Sequence, residues 1–203
     1  MVVIAQPIHQ AGRAKARPLI QTLCLRGTKM RLLIPLSFLF TALTVPFNAN
    51  ALDIQCAIDK YKNYASAQEQ WQRALTDLTV KTNGNLKDIA NMYLSDQLNY
   101  IEMNRIAVEF MLHRNPNKVR LDTSINQWLT IDSDDKSTIA KSSNRYAELL
   151  SLANATKQRL PHPDGEAIRT LMRDHILKMT EYQNLLAQFN TAVTKVNSKA
   201  CGG

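Results

Sequence analysis

The stretch GEAIRTLMRDHILKMTEYQNLLAQFNTAVTKVNS, residues 165–198, decides the fold that the sequence predicts. Its core-type positions are spaced alternately by four and three residues: Ile168, Met172, His175, Met179, Tyr182, Leu186, Phe189, Val193 and Val196. This spacing averages about 3.5 residues, which is the repeat of helices packed side by side as in a coiled coil. The stretch therefore predicts one long helix with a continuous buried stripe.

Three other segments show the same periodicity, and turn-forming residues separate them. The predicted helices cover residues 53–81, residues 86–113, and a stretch that begins after the acidic cluster 132–135 and ends at Leu160. The joints rich in Asn, Gly and Pro lie at residues 82–85, 114–117 and 160–165. On the second helix the stripe contains Gln97, Ile101 and Asn104, and Tyr93 and Tyr100 widen it.

Residues 118–132 are less regular, and we interpret them as a crossover that lays Trp128 against the helices. No segment alternates with the two-residue period of a half-buried strand. The sequence therefore predicts an all-α fold: an antiparallel up-down four-helix bundle with a short extra helix or crossover between helices 2 and 3.

Basic charge is concentrated in the first 51 residues. The whole chain has 25 Lys and Arg against 17 Asp and Glu, a net charge of +8. Six of the basic residues and none of the acidic ones precede Leu52, so the remainder holds 19 basic and 17 acidic residues, a net charge of +2. No basic cluster with interleaved aromatic residues is left to follow a phosphate backbone. We therefore expect no nucleic-acid partner.

Residues 30–51 contain the three parts of a cleavable secretory signal peptide. Lys29 and Arg31 supply the positive start, and the 14-residue run LLIPLSFLFTALTV, residues 32–45, carries no charge. Ala49 and Ala51 supply the small residues that a signal peptidase requires. The alternative is a membrane anchor, but a spanning helix needs about 20 apolar residues. We therefore expect cleavage after Ala51 and no stable membrane anchor afterwards.

Residues 1–29 are too long to be the start of this signal. The simplest interpretation is that translation begins at Met30 and that residues 1–29 are a non-native upstream extension. The alternative is an organelle transit peptide, since the stretch is basic and free of acidic residues. The predicted organisation is thus the extension, a signal peptide at residues 30–51, and one helical domain at residues 52–203. We expect a periplasmic or secreted protein.

Two cysteines remain after the expected cleavage, Cys56 and Cys201. An even number of cysteines in an exported protein favours a disulfide. The alternatives are two separate thiols or pairing between chains. A bond within the chain requires both ends of the domain to lie together, which an even number of antiparallel helices provides.

His175 is the strongest candidate for a cofactor or metal ligand, because it lies on the stripe of residues 165–198 between Met172 and Met179. Histidine and methionine in a bundle ligate haem iron or copper. The competing interpretation is that the methionines fill the core and that the histidine is hydrogen-bonded to a neighbouring helix. The sequence has neither the Cys-x-x-Cys-His motif of covalent haem nor the paired Glu-x-x-His motifs of di-iron bundles.

The sequence shows no Gly-x-Ser-x-Gly motif and no recognisable nucleophile and base set. We therefore expect a binding or adaptor protein without a resident cofactor rather than an enzyme, with another envelope or extracellular protein as its partner. The alternative is a haem- or metal-binding bundle that uses His175.

Overall fold

The computed structural model describes residues 53–201, and most of these residues are helical. Helix α1 spans Ile54–Thr82, and the Asp53 side chain begins it by accepting the backbone N–H of Cys56 at 2.9 Å. Helix α2 spans Lys87–Arg114 and follows a 3-10 turn at Gly84–Leu86. This connection is the first predicted joint.

The crossover after α2 contains two 3-10 turns, Pro116–Lys118 and Ile125–Gln127. Trp128 is 2 % exposed and stacks on the Tyr61 ring, with the centroids 6.1 Å apart. Its indole N–H donates to the carbonyl of Thr123 at 3.2 Å. The expected burial of Trp128 against the helices is confirmed. Residues 53–201 contain no β-strand, only an isolated antiparallel bridge within this crossover.

The third predicted helix is divided into two, so the prediction of one helix ending at Leu160 is wrong. Helix α3 spans Ser133–Ser142 and α4 spans Asn144–Gln158. The break occurs because the Ser143 hydroxyl accepts the backbone N–H of Tyr146 at 3.2 Å and begins a new helix. The acidic cluster caps α3 as expected, since Asp132 and Asp135 form a reciprocal capping box.

The stretch 165–198 is also divided, and the prediction of one continuous helix there is wrong. Helix α5 spans Gly165–Asp174, a 3-10 turn covers Ile176–Lys178, and α6 spans Thr180–Ser198. The Gln183 side chain stabilises the break by donating to the carbonyl of Leu177 at 2.9 Å. Because the chain changes direction here, Ile176 becomes fully buried in place of His175.

Among the six α-helices of residues 53–201, α1 and α2 make the most extensive contact with each other. Helix α6 lies against α1, and α4 lies against α2 with α3 beside it. Helices α4 and α6 make at most a marginal contact with each other. The all-helical fold is therefore confirmed for the described residues, but the antiparallel up-down four-helix bundle expected from the periodicity is not confirmed.

Buried residues form two clusters. The larger cluster joins α1, α2, the crossover, α3 and α4, and includes Tyr61, Val108, Trp128, Ile139 and Tyr146. The smaller cluster joins the start of α2 to α5 and contains Leu86, Ile89, Ala90 and Ile168. The middle of α2 lies between the two clusters, and Tyr93 and Gln97 there are only half-buried. Within residues 53–201, no helix combines the length and the hydrophobicity that a membrane span needs.

Candidate functional site

The structure places His175 at the surface. Its side chain is exposed, and its backbone lies where α5 ends, with φ −124° and ψ −67°. The expectation that His175 faces the core is therefore wrong, because the break in residues 165–198 turns it outward.

Met172 and Met179 are half-buried against the C-terminal end of α1. The sulfur of Met172 lies 3.9 Å from the Thr79 hydroxyl, and the sulfur of Met179 lies 3.8 Å from the Thr82 hydroxyl. Thr79 also donates to the carbonyl of Leu75 at 2.7 Å. A hydroxyl has one proton, and the shorter contact with the better acceptor takes it.

The thioethers thus pack against hydroxyls of α1, and the structure shows no ligand set that joins them to His175. Among residues 53–201, no group of three or more His, Cys, Asp or Glu side chains is close enough together to hold a metal ion. Binding of haem or copper through His175 stays a prediction, and an absorbance spectrum of the purified protein would test it.

The two cysteines of the domain form the expected disulfide. The sulfur atoms of Cys56 and Cys201 are 2.07 Å apart, and the Cα atoms are 5.5 Å apart. The bond joins the first turn of α1 to the residues after α6, across a sequence separation of 145. The two ends of the described chain therefore lie together.

Polar contacts reinforce this junction. The Lys60 ammonium donates to the carbonyls of Asn197 and Lys199, at 3.1 and 2.6 Å, and so caps the end of α6. It also lies 5.6 Å from the centroid of the Trp128 ring. Burial, followed by the nearby Lys199 charge, lowers the pKa of Lys60. The Asn197 side chain accepts the backbone N–H of Ile125 at 3.0 Å and so ties the crossover to α6.

The inner stripe of α2 is the face with Ala107 and Val108, which packs against the other helices. This stripe is exposed to solvent at Tyr100. Residues seven apart lie on the same face of a helix. Ala107 is fully buried, but Tyr100, two turns earlier, is 54 % exposed. Tyr93, two turns earlier again, packs against the smaller cluster. The inner stripe is therefore exposed at Tyr100 although Ile101 beside it is buried, and we call this exposed part of the stripe the opening.

Tyr100 is near enough to buried tyrosines of α1 and α4 to influence their pKa values. Burial raises the pKa of Tyr61, and the neighbouring phenols of Tyr64 and Tyr100 add to the rise. Burial also raises the pKa of Tyr146, and Tyr100 again contributes. The hydroxyl of Tyr146 is fully buried and has no hydrogen-bond partner among the described residues. An exposed phenol, that of Tyr100, thus influences a buried phenol without a hydrogen-bond partner, that of Tyr146.

Ion pairs hold α4 firmly on α2 beside this opening. Arg145 donates to both carboxylate oxygens of Glu102, at 3.2 and 2.6 Å, and lowers the pKa of Glu102 by this hydrogen bonding. Two turns further along the boundary, Asp96 accepts from Arg159 at 2.8 Å and from Thr156 at 3.1 Å. The side of the opening that belongs to α4 is therefore held to α2 at Glu102 and at Asp96.

A second concave surface lies between α3 and α4, a groove of about 560 Å³. Lysines, small polar residues and two apolar residues line it: Ser133, Lys136, Ser137, Ala140, Lys141, Leu150, Asn154 and Lys157. None of these eight residues is acidic. We call this surface the lysine groove.

Sequence reasoning did not find either surface. The spacing places Tyr100 correctly on the inner stripe, but exposure there depends on where α4 and α6 dock. The lysine groove exists because α3 and α4 are separate helices that pack side by side. Ser143 separates the two helices, and it is the residue from which their division could have been predicted.

Comparison with protein-family models, with curated proteins and with solved structures finds no match to this chain. The expected cleavage residues, Ala49 and Ala51, and the signal peptide and upstream extension lie outside the described residues. These expectations stay predictions.

Proposed function

We propose that this protein is exported and acts by binding another envelope or extracellular protein at the opening around Tyr100. One observation carries the proposal: Tyr100 lies on the inner stripe of α2 but is 54 % exposed. Tyrosine is enriched at protein interfaces because its ring gives a large, rigid contact area and its hydroxyl a polar contact.

A helical segment is the partner structure that best suits this opening. Helix α4 packs against α2 and α6 against α1, and the side chain of Tyr100 on α2 stays exposed. Half-buried Gln97 and Asn104 flank Tyr100 with helical spacing. A row of side chains spaced in this way forms the holes that receive the side chains of a packed helix. An amphipathic helix of the partner would place an apolar residue against Tyr100 and polar residues against the two amides.

Export is supported by the Cys56–Cys201 bond, since such bonds form and persist mainly in oxidising compartments. It agrees with the signal peptide that residues 30–51 predict. The near-neutral charge of residues 52–203 also favours a protein partner over a polyanion.

Photo-crosslinking from position 100 tests the proposal. Tyr100 is replaced by p-benzoylphenylalanine, which keeps an aromatic ring at this position, in the cells that produce the protein. The matched control places the same residue at Leu177, which is 41 % exposed and lies in the 3-10 turn between α5 and α6, outside α2 and α4. Mass spectrometry of the adduct identifies the crosslinked peptide.

We expect an adduct from position 100 and not from position 177, with the crosslink mapping to an amphipathic helical segment of another exported protein. An adduct of equal yield at both positions, an adduct with a second copy of this chain, or no adduct would each contradict the proposal.

A further inference from the structure

We propose that the lysine groove is a separate binding site, and that its ligand is an acidic peptide segment of a protein. The groove is the second concave surface described above, and it lies on α3 and α4 rather than on the inner stripe of α2. Its eight lining residues include three lysines and no acidic residue. The inference therefore does not depend on the binding proposed at Tyr100.

The three lysines have no ion-pair partner within the part of the chain that the structure describes. The nine ion pairs of that part involve none of Lys136, Lys141 and Lys157. Two of the acidic residues near the lysines in sequence are paired elsewhere: Asp135 binds Lys118 at 2.5 Å, and Glu148 binds Arg145 at 2.8 Å. Asp134 is exposed and does not line the groove. No ion pair of the described residues therefore neutralises the three lysines of the groove.

The dimensions of the groove favour several negative charges in a row over a single one. From Ser133 to Lys141 the α3 wall extends about 12 Å, at about 1.5 Å per helical residue. Leu150, Asn154 and Lys157 follow one face of α4 over about 10 Å by the same rise. An extended peptide covers this length with about three or four residues, at about 3.3 Å per residue. One phosphate group would reach only part of the lysine set.

The other lining residues fit a peptide as well. Ala140 and Leu150, which are half-buried, give the groove apolar surface, and the exposed Ser133, Ser137 and Asn154 add hydroxyl and amide groups. An apolar side chain of the ligand would meet the apolar surface, and its backbone would find hydrogen-bond partners in the hydroxyl and amide groups. The best ligand therefore combines two or three carboxylates with one apolar residue.

A labelled peptide tests this inference with the purified, oxidised protein. The probe is a fluorescent seven-residue peptide of alternating glutamate and leucine, and its matched control replaces each glutamate by glutamine. The groove variant combines Lys136→Gln, Lys141→Gln and Lys157→Gln. The control variant combines Lys62→Gln, Lys87→Gln and Lys195→Gln, three exposed lysines outside the groove. Both variants lower the net charge by the same amount.

We expect the glutamate peptide to bind and the glutamine peptide not to bind. The groove variant should weaken binding at least tenfold, and the control variant less than twofold. Binding should also weaken as salt rises, because the lysines are largely exposed. Circular dichroism should show that both variants keep their helical content, because the substituted side chains lie at the surface.

Three results would overturn the inference: no binding of the glutamate peptide, equal weakening by both triple variants, or groove-dependent binding of anionic lipid vesicles without binding of the peptide. The variant Tyr100→Ala separates the two proposals. It should bind the glutamate peptide like the unchanged protein, and it should lose any partner that crosslinks from position 100.

Discussion

Removal of the disulfide should lower the free energy of unfolding by several kcal/mol without changing the fold. The double substitution Cys56→Ser and Cys201→Ser opens a loop whose ends are 145 residues apart in sequence. The chain-entropy relation gives about 5 kcal/mol for a loop of this length at 25 °C. Because domains of this kind have a total stability of about 5–15 kcal/mol, the bond accounts for a large share.

The contacts beside the disulfide explain why the fold should survive. Lys60 still caps the end of α6, and Asn197 still holds the backbone of Ile125. The substitution acts mainly on the unfolded chain, which gains freedom when the loop opens. Far-ultraviolet circular dichroism should therefore show unchanged helical content below the transition.

Urea denaturation, followed by circular dichroism, measures the effect in the oxidised protein and in the double serine variant. We expect a lower midpoint in the variant and a steeper dependence on urea, because the open chain exposes more surface when it unfolds. Reduction of the unchanged protein serves as an independent control. A loss below about 1 kcal/mol would refute the chain-entropy reasoning, as would a variant with clearly reduced helical content.

Three further predictions concern Tyr146, Glu102 and the expected cleavage after Ala51. Tyr146→Phe removes a buried hydroxyl without a partner, so stability at pH 7 should stay equal or rise by up to about 1 kcal/mol. Because the pKa of Tyr146 is raised from 10.0 in the folded protein, the unfolded chain releases the phenol proton at a lower pH, and the free energy of unfolding falls as pH rises above that value. The variant lacks this phenol and should therefore resist alkaline denaturation better. Urea titrations at pH 7 and 11 measure the difference. Glu102→Gln should lower stability at pH 7, and this difference should shrink as pH falls below 4.5, because a lowered carboxylate pKa gives stability that is lost as pH falls through it. The intact mass of the protein from the cell envelope fraction should match residues 52–203 less two hydrogens, and any other start would disprove cleavage after Ala51.

Local sequence signals predicted the parts of the fold that local chemistry controls. Asp132 and Asp135 predicted the start of α3, because their side chains supply the hydrogen bonds that a helix start lacks. The cysteine pair predicted the disulfide, and the irregular stretch around Trp128 predicted the crossover. The break at Ser143 could also have been predicted, since the run Ser142-Ser143-Asn144 carries cap-forming side chains.

The break at His175 could not have been predicted in the same way. Neither glycine nor proline lies between Gly165 and Ser198, and no side chain caps the start of α6. The apolar spacing continues through the break, so the pattern is the same for one helix or for two. Packing against the end of α1, where Thr79 and Thr82 meet the two methionines, is decided only in the folded chain.

The exposure of Tyr100 has a similar explanation. Its position on the inner stripe follows from the helical period, but its solvent accessibility follows from the placement of other helices. That placement depends on long-range ion pairs such as Asp96–Arg159, between residues 63 apart in sequence. A single sequence does not reveal which charged residues will meet across such a distance.

The disulfide also determines how the domain would respond to mechanical force. A pull on the chain before Asp53 and after Cys201 would pass through three residues of α1 and then directly through the sulfur–sulfur bond. The remaining helices lie within the closed ring and would carry no tension. With the bond intact, the domain could therefore be stretched between two anchors and lose only the first turn of α1, whereas after reduction the same pull would unravel the helices one by one.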